Sequence, residues 1–91
     1  MADDVKKLLK KHQQLIQSDL KKVSSHVQRE EGDWYLNTLM LEGYDVPFKY
    51  KRAKLYKSLQ GQTVNLTYYK DIEVVAGFEM EVMRVVRVKV S

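Results

Sequence analysis

Two carboxylate pairs are the first candidates for chemistry in this sequence: Asp71 with Glu73, and Glu79 with Glu81. On a strand, side chains at i and i+2 share one face about 7 Å apart. That spacing suits general acid/base work or a hard cation, and it also arises wherever a solvated strand face is acidic. The two histidines, His12 and His26, are fourteen residues apart. On a helix that is about 21 Å, too far to share one metal within a chain. Asp19 lies midway between them, so on a helix all three would edge the same side as a polar margin. None of these groups completes a catalytic set.

Other reaction chemistries find no support. The glycines at 32, 43, 61 and 77 are isolated, so neither a phosphate-cradling loop nor a dinucleotide fingerprint is present. No serine sits in a nucleophile elbow. The chain has no cysteine, which removes thiolate catalysis, thiolate metal sites and disulfides. The expectation is a non-enzymatic protein with no catalytic residue, no metal and no cofactor.

Charge placement says more. The 91 residues carry a net +4, but the segment 46–70 holds Lys49, Lys51, Arg52, Lys54, Lys57 and Lys70 with no acidic residue. The preceding stretch 32–45 holds Asp33, Glu42 and Asp45 with no basic residue. Phe48, Tyr50, Tyr56, Tyr68 and Tyr69 interleave with the basic side chains. Cations neutralise phosphates and exposed rings stack on unpaired bases, and small curved sheets such as oligonucleotide-binding barrels present both. Lys49, Lys51, Arg52, Lys54, Tyr56 and Lys57 are therefore the expected contact surface for nucleic acid or another polyanion. The bland reading of the same residues is a solvated basic edge that guards a strand against aggregation.

These side chains need elements to hold them. In the first third, Val5, Leu8, Leu9, His12, Leu15, Ile16, Leu20, Val23 and Val27 recur mostly at three- and four-residue steps. That spacing, with Asp3 and Asp4 at its start and Gly32 beyond its end, predicts a helix over 3–30. Within it Val5, Leu9, His12, Ile16, Val23 and Val27 approach a heptad stripe, an interface for a second copy or a protein partner.

After Gly32 the code turns to strands. Residues 34–41 are aromatic and apolar, 46–51 alternate, and 63–69 alternate again with Val64, Leu66 and Tyr68 inward. Residues 52–59 have weak helical spacing. The run 78–90 changes its apolar parity near 83–86, as a bulge or sharp bend would cause. The expectation is one α+β domain over 1–91: a long N-terminal helix (3–30) packed on a curved antiparallel sheet of four or five strands (33–90). Whether the sheet closes into a small barrel is left open by the pattern.

No apolar run approaches the roughly 20 residues of a membrane span, and no signal-like segment opens the chain. No membrane insertion and a cytoplasmic location follow as expectations.

Overall fold

The computed structural model describes residues 15–91, and it contains five strands with no helix among them. They are β1 (Ile16–Glu31), β2 (Trp34–Leu41), β3 (Phe48–Arg52), β4 (Thr63–Val75) and β5 (Phe78–Val90). The α+β expectation is thus overturned: the described chain is all-β. Where a helix was expected through residue 30, β1 forms a hairpin with β2 about the turn at Gly32-Asp33, and Glu31 pairs with Trp34.

The misleading period has a physical origin. β1 carries two irregularities, one between Ser18 and Lys21 and one between Val23 and Ser25. Each extra residue shifts the inward parity, so no two-residue alternation runs through β1. Val23 is buried and Ile16 half-buried, while Leu20 and Val27 are exposed, and their three- and four-residue spacing marks no common face. Leu20, in the first bulge, has φ +56 and is largely exposed. Its N–H donates to Asn65 Oδ1 at 2.9 Å, which ties the bulge to β4. The run Val23-Ser24-Ser25-His26-Val27 is also made of weak helix formers.

The bulges let β1 curl far enough to pair with two neighbours. Its second half pairs with β2 and its first half with β4, both antiparallel. β4 therefore returns to lie beside β1, which gives the spatial order 4-1-2-3 of a Greek key. β5 folds back on β4 and meets β3 in a short parallel contact, Phe48 with Met83 and Lys49 with Arg84. The hydrogen-bonded ring β1-β2-β3-β5-β4 is closed, a small five-stranded barrel of mixed sheet. The parity change expected near 83–86 is a bulge: Tyr68 pairs with Val85 and Thr67 with Arg87, so Val86 is the extra residue.

Inside the ring sit Val23, Leu39, Leu41, Phe48, Val64, Leu66, Tyr68 and Met83. Phe48 is fully buried and lies edge-on between Tyr44 and Tyr68, with centroids 5.2 and 4.8 Å away. Edge-to-face contacts of this kind add to the burial of the rings themselves. The expected inward positions Val64, Leu66 and Tyr68 are all buried.

The proposed helical stripe dissolves. Val23 belongs to the barrel core, Ile16 packs partly buried against it, and Val27 is exposed on the outer surface. Val5, Leu9 and His12 lie outside the described residues. Residues 52–59 form no helix: after β3 ends at Arg52, the segment 53–62 is an extended loop. No helix among the described residues is long and apolar enough to cross a membrane.

Candidate nucleic-acid interface

Strand alternation splits the basic segment between two places. On β3, Phe48 points into the core, so Lys49 and Lys51 project from the outer face of the ring. Register carries that face across the molecule: Val27 pairs with Thr38, Thr38 with Lys49, Lys49 with Arg84, and Arg84 with Tyr69. One row of side chains thus crosses all five strands, a width of about 19 Å at the usual strand spacing. Arg29, Leu36 and Lys51 form the next row. These rows line a groove of about 590 Å³ whose cations are Arg29, Lys49, Lys51 and Arg84.

Two of those cations are held by carboxylates within the chain. Lys49 Nζ donates to Glu73 Oε1 at 3.0 Å, and Arg84 Nη2 donates to Glu73 Oε2 at 3.1 Å. Arg84 Nε also donates to Asp71 Oδ2 at 3.2 Å. The carboxylate pair at 71 and 73 is therefore a clamp on the basic face, with all four side chains partly buried. The Lys49 hydrogen bond holds the Glu73 carboxyl below its ordinary value, against a smaller opposing effect of burial. Among the described residues Arg29 pairs only with Glu31, 3.6 Å away with both side chains exposed. Lys51 is exposed and has no carboxylate partner among the described residues.

Two hairpins flank the groove. The β1–β2 hairpin carries Trp34, which shares the parity of Leu36 and Thr38 and is 50% exposed. The β4–β5 hairpin runs beyond the barrel as a two-stranded arm. Opposed residues share a face in an antiparallel pair, so Met80 and Phe78 lie on the Glu73 side through the pairs Glu73–Met80 and Val75–Phe78. Phe78 is 72% exposed. An aromatic ring thus stands open on each hairpin, with the cations between them. The arm ends in a tight turn in which Ala76 and Gly77 have φ +51 and +83.

The remaining predicted contacts lie elsewhere. Arg52, Tyr56 and Lys57 line a second recess of about 300 Å³ that shares Asn37 and Tyr50 with the groove, and Lys54 is exposed without lining either cavity. Thus only Lys49 and Lys51 of the six expected residues reach the groove. Arg29, Arg84, Trp34 and Phe78 were not among the expected contacts, and Tyr69 was noted only as one of the interleaved rings. The signal for Arg84 was its interruption of an apolar strand, and that for Arg29 was hidden by the helix reading.

His26 has a positioning role at the recess. Its Nδ1 accepts the Leu59 N–H at 2.8 Å, which leaves Nε2–H to donate to Asn37 Oδ1 at 2.7 Å. Asn37, almost fully buried, passes the chain on from Nδ2 to the Tyr35 carbonyl at 3.1 Å. Gln28 adds a two-point clamp, donating to the Tyr56 carbonyl at 2.6 Å and accepting from its N–H at 3.2 Å. The 53–62 loop is thereby fixed to β1. No group of three or more His, Asp or Glu side chains able to hold a metal occurs among the described residues.

The chain matches no protein-family model, no curated protein and no solved structure.

Proposed function

We propose that this protein binds single-stranded nucleic acid without catalysis, through the groove on the outer face of β2, β3 and β5. The observation that carries the reading is the joint placement of four cations in the groove and of the open rings Trp34 and Phe78 on the two hairpins beside it. Cations that track a phosphate backbone and rings that stack on bases are the two components of sequence-tolerant strand binding. Five-stranded Greek-key barrels of the oligonucleotide-binding class use the face of strands 2 and 3 with the loops between strands 1–2 and 4–5. The groove occupies the corresponding face, although a fold by itself assigns no ligand. Lys51 and Arg29 are the cations open to phosphate. Lys49 and Arg84 are exchangeable, their carboxylates standing where phosphate oxygens would. The cytoplasmic setting expected from the sequence belongs to this reading. Fluorescence anisotropy with a labelled oligothymidylate at about 50 mM salt tests it, with binding that weakens steeply as salt rises expected.

A protein-partner reading is favoured by the back of the arm, where Ile72 and Val74 are exposed beside Glu81 and Glu79. Light scattering at several concentrations examines its self-associating form, and a strict monomer removes that form.

A further inference from the structure

The recess at the end of the barrel adjoins the strand-binding groove, sharing Asn37 and Tyr50 with it, but its cations are its own and its charge is not internally balanced. Arg52 and Lys57 both line it, and no acidic side chain does. Neither cation has a carboxylate partner among the described residues. Arg52 instead stacks over the Tyr50 ring, 4.8 Å from its centroid, and one of its guanidinium N–H groups donates to the Lys51 carbonyl at 3.3 Å. A guanidinium fixed by stacking keeps its remaining donors for a planar or tetrahedral anion.

Tyr50 supplies a third group. Its ring lines the recess, and its hydroxyl has no hydrogen-bond partner among the described residues. Burial raises its pKa, against a smaller opposing effect of Arg52, so the phenol stays a donor across the physiological range. Leu59 and Val88 form apolar wall and Tyr56 offers an exposed ring. The polar groups of His26 and Asn37 are already engaged with each other and with backbone. They shape the recess and leave its free hydrogen-bonding capacity to Arg52, Lys57 and Tyr50. The Gln28 and His26 clamps hold the loop that carries Tyr56, Lys57 and Leu59, so the cavity is formed before any ligand arrives. Its volume of about 300 Å³ is at the lower end of small-molecule sites.

We infer that this recess binds the phosphomonoester of a nucleotide, with Arg52 and Lys57 on the phosphate, Tyr50 donating to it, and the Tyr56 ring beside the base. Two uncompensated cations with a neutral donor match a dianion better than the single charge of a backbone diester. The phosphomonoester can belong to a free mononucleotide or to the phosphorylated end of a strand lying in the groove.

The test is an amide NMR titration of the full chain with AMP and with adenosine at about 50 mM salt, a concentration at which phosphate contacts remain strong. AMP is expected to shift the amides of Arg52, Tyr56, Lys57 and Leu59, and adenosine to leave them in place. Lys57→Gln, an exposed change that leaves the fold intact, and Arg52→Gln should each weaken AMP binding about tenfold. Lys54→Gln, an exposed change at a residue that lines neither cavity, should leave it unchanged. Equal shifts with adenosine, or AMP binding indifferent to Lys57→Gln, would overturn the assignment. Oligothymidylate with a 5′-phosphate against the same strand with a 5′-hydroxyl then separates the sources. A gain for the phosphorylated strand that Lys57→Gln abolishes assigns the recess to strand ends. Equal strand affinity with AMP binding retained assigns it to the free nucleotide. The 5′-hydroxyl strand carries no monoester, so its binding reports on the groove alone, and the two readings can fail independently.

Discussion

Glu73 of β4 bonds Lys49 of β3 at 3.0 Å although β5 lies between their strands. Arg84 of β5 joins them from the intervening strand, 3.1 Å from the other Glu73 oxygen. The β4–β5 arm is thereby tied to the basic face, and in the proposed strand complex this carboxylate would compete with phosphate for both cations. Glu73→Gln removes that competitor. It should strengthen oligothymidylate binding about 3- to 10-fold, as expected for deleting one like charge beside a polyanion. Anisotropy titration reads it, and weaker binding by the variant would show that Glu73 serves the strand instead.

The same pair sets an acid dependence. The folded Glu73 carboxyl lies below its ordinary 4.5, so its contribution to stability is fully present above that value. It is lost as pH falls through the lower, folded value. Urea midpoints measured from about pH 6 down to about pH 3 should therefore fall more for the native chain than for Glu73→Gln. Parallel curves would remove the linkage.

The rings and the cations should separate in their salt response. Trp34→Ala and Phe78→Ala each remove a stacking platform worth about 1–3 kcal/mol per base, with the salt slope unchanged. Both rings are at least half exposed, so thermal stability should move little.

His26→Ala leaves the Asn37 Oδ1 and the Leu59 N–H without their partners. Two part-buried polar groups orphaned together should cost about 2–4 kcal/mol, read by urea denaturation. Exchange at the Leu59 amide should rise in the same variant.

Ala76 has φ +51 at the tip of the arm, a conformation that Asn or Gly adopts more readily. Ala76→Asn creates the Asn-Gly sequence favoured in two-residue hairpins and should stabilise the fold by about 0.5–1 kcal/mol. A lower melting temperature would contradict this.

Legibility in the sequence followed regularity of alternation. Residues 78–90 and 34–41 match β5 and β2 in full, because clean turns bound them. β4 reads from the sequence as a strand at 63–69 and a short strand at 72–76 with a connection at 70–71, because Lys70, Asp71 and Glu73 break its apolar rhythm where it leaves the barrel as the arm; it is one strand, Thr63–Val75. β1 was unreadable for the opposite reason. Its two bulges break the two-residue alternation, and the exposed Leu20 and Val27 complete a helix-like spacing with the inward Ile16 and Val23. The +6 of residues 46–70 is real, but strand parity sends Lys49 and Lys51 to one face and Arg52 to the other end of the barrel. The acids that meet the basic face are not those nearest to it in sequence. Asp71 and Glu73 meet the basic face in the clamp, whereas Asp33, Glu42 and Asp45 make no ion pair among the described residues.

The most direct measurement of the strand-binding account is the salt dependence of oligothymidylate affinity for the native chain and for Lys51→Gln. Lys51 is exposed and unpaired by carboxylate, so its loss changes the groove and little else. The account predicts a steep negative slope of log affinity against log salt, reduced by about 0.7 in the variant for one lost phosphate contact. Binding absent at low salt, or a slope identical in the two proteins, would contradict it.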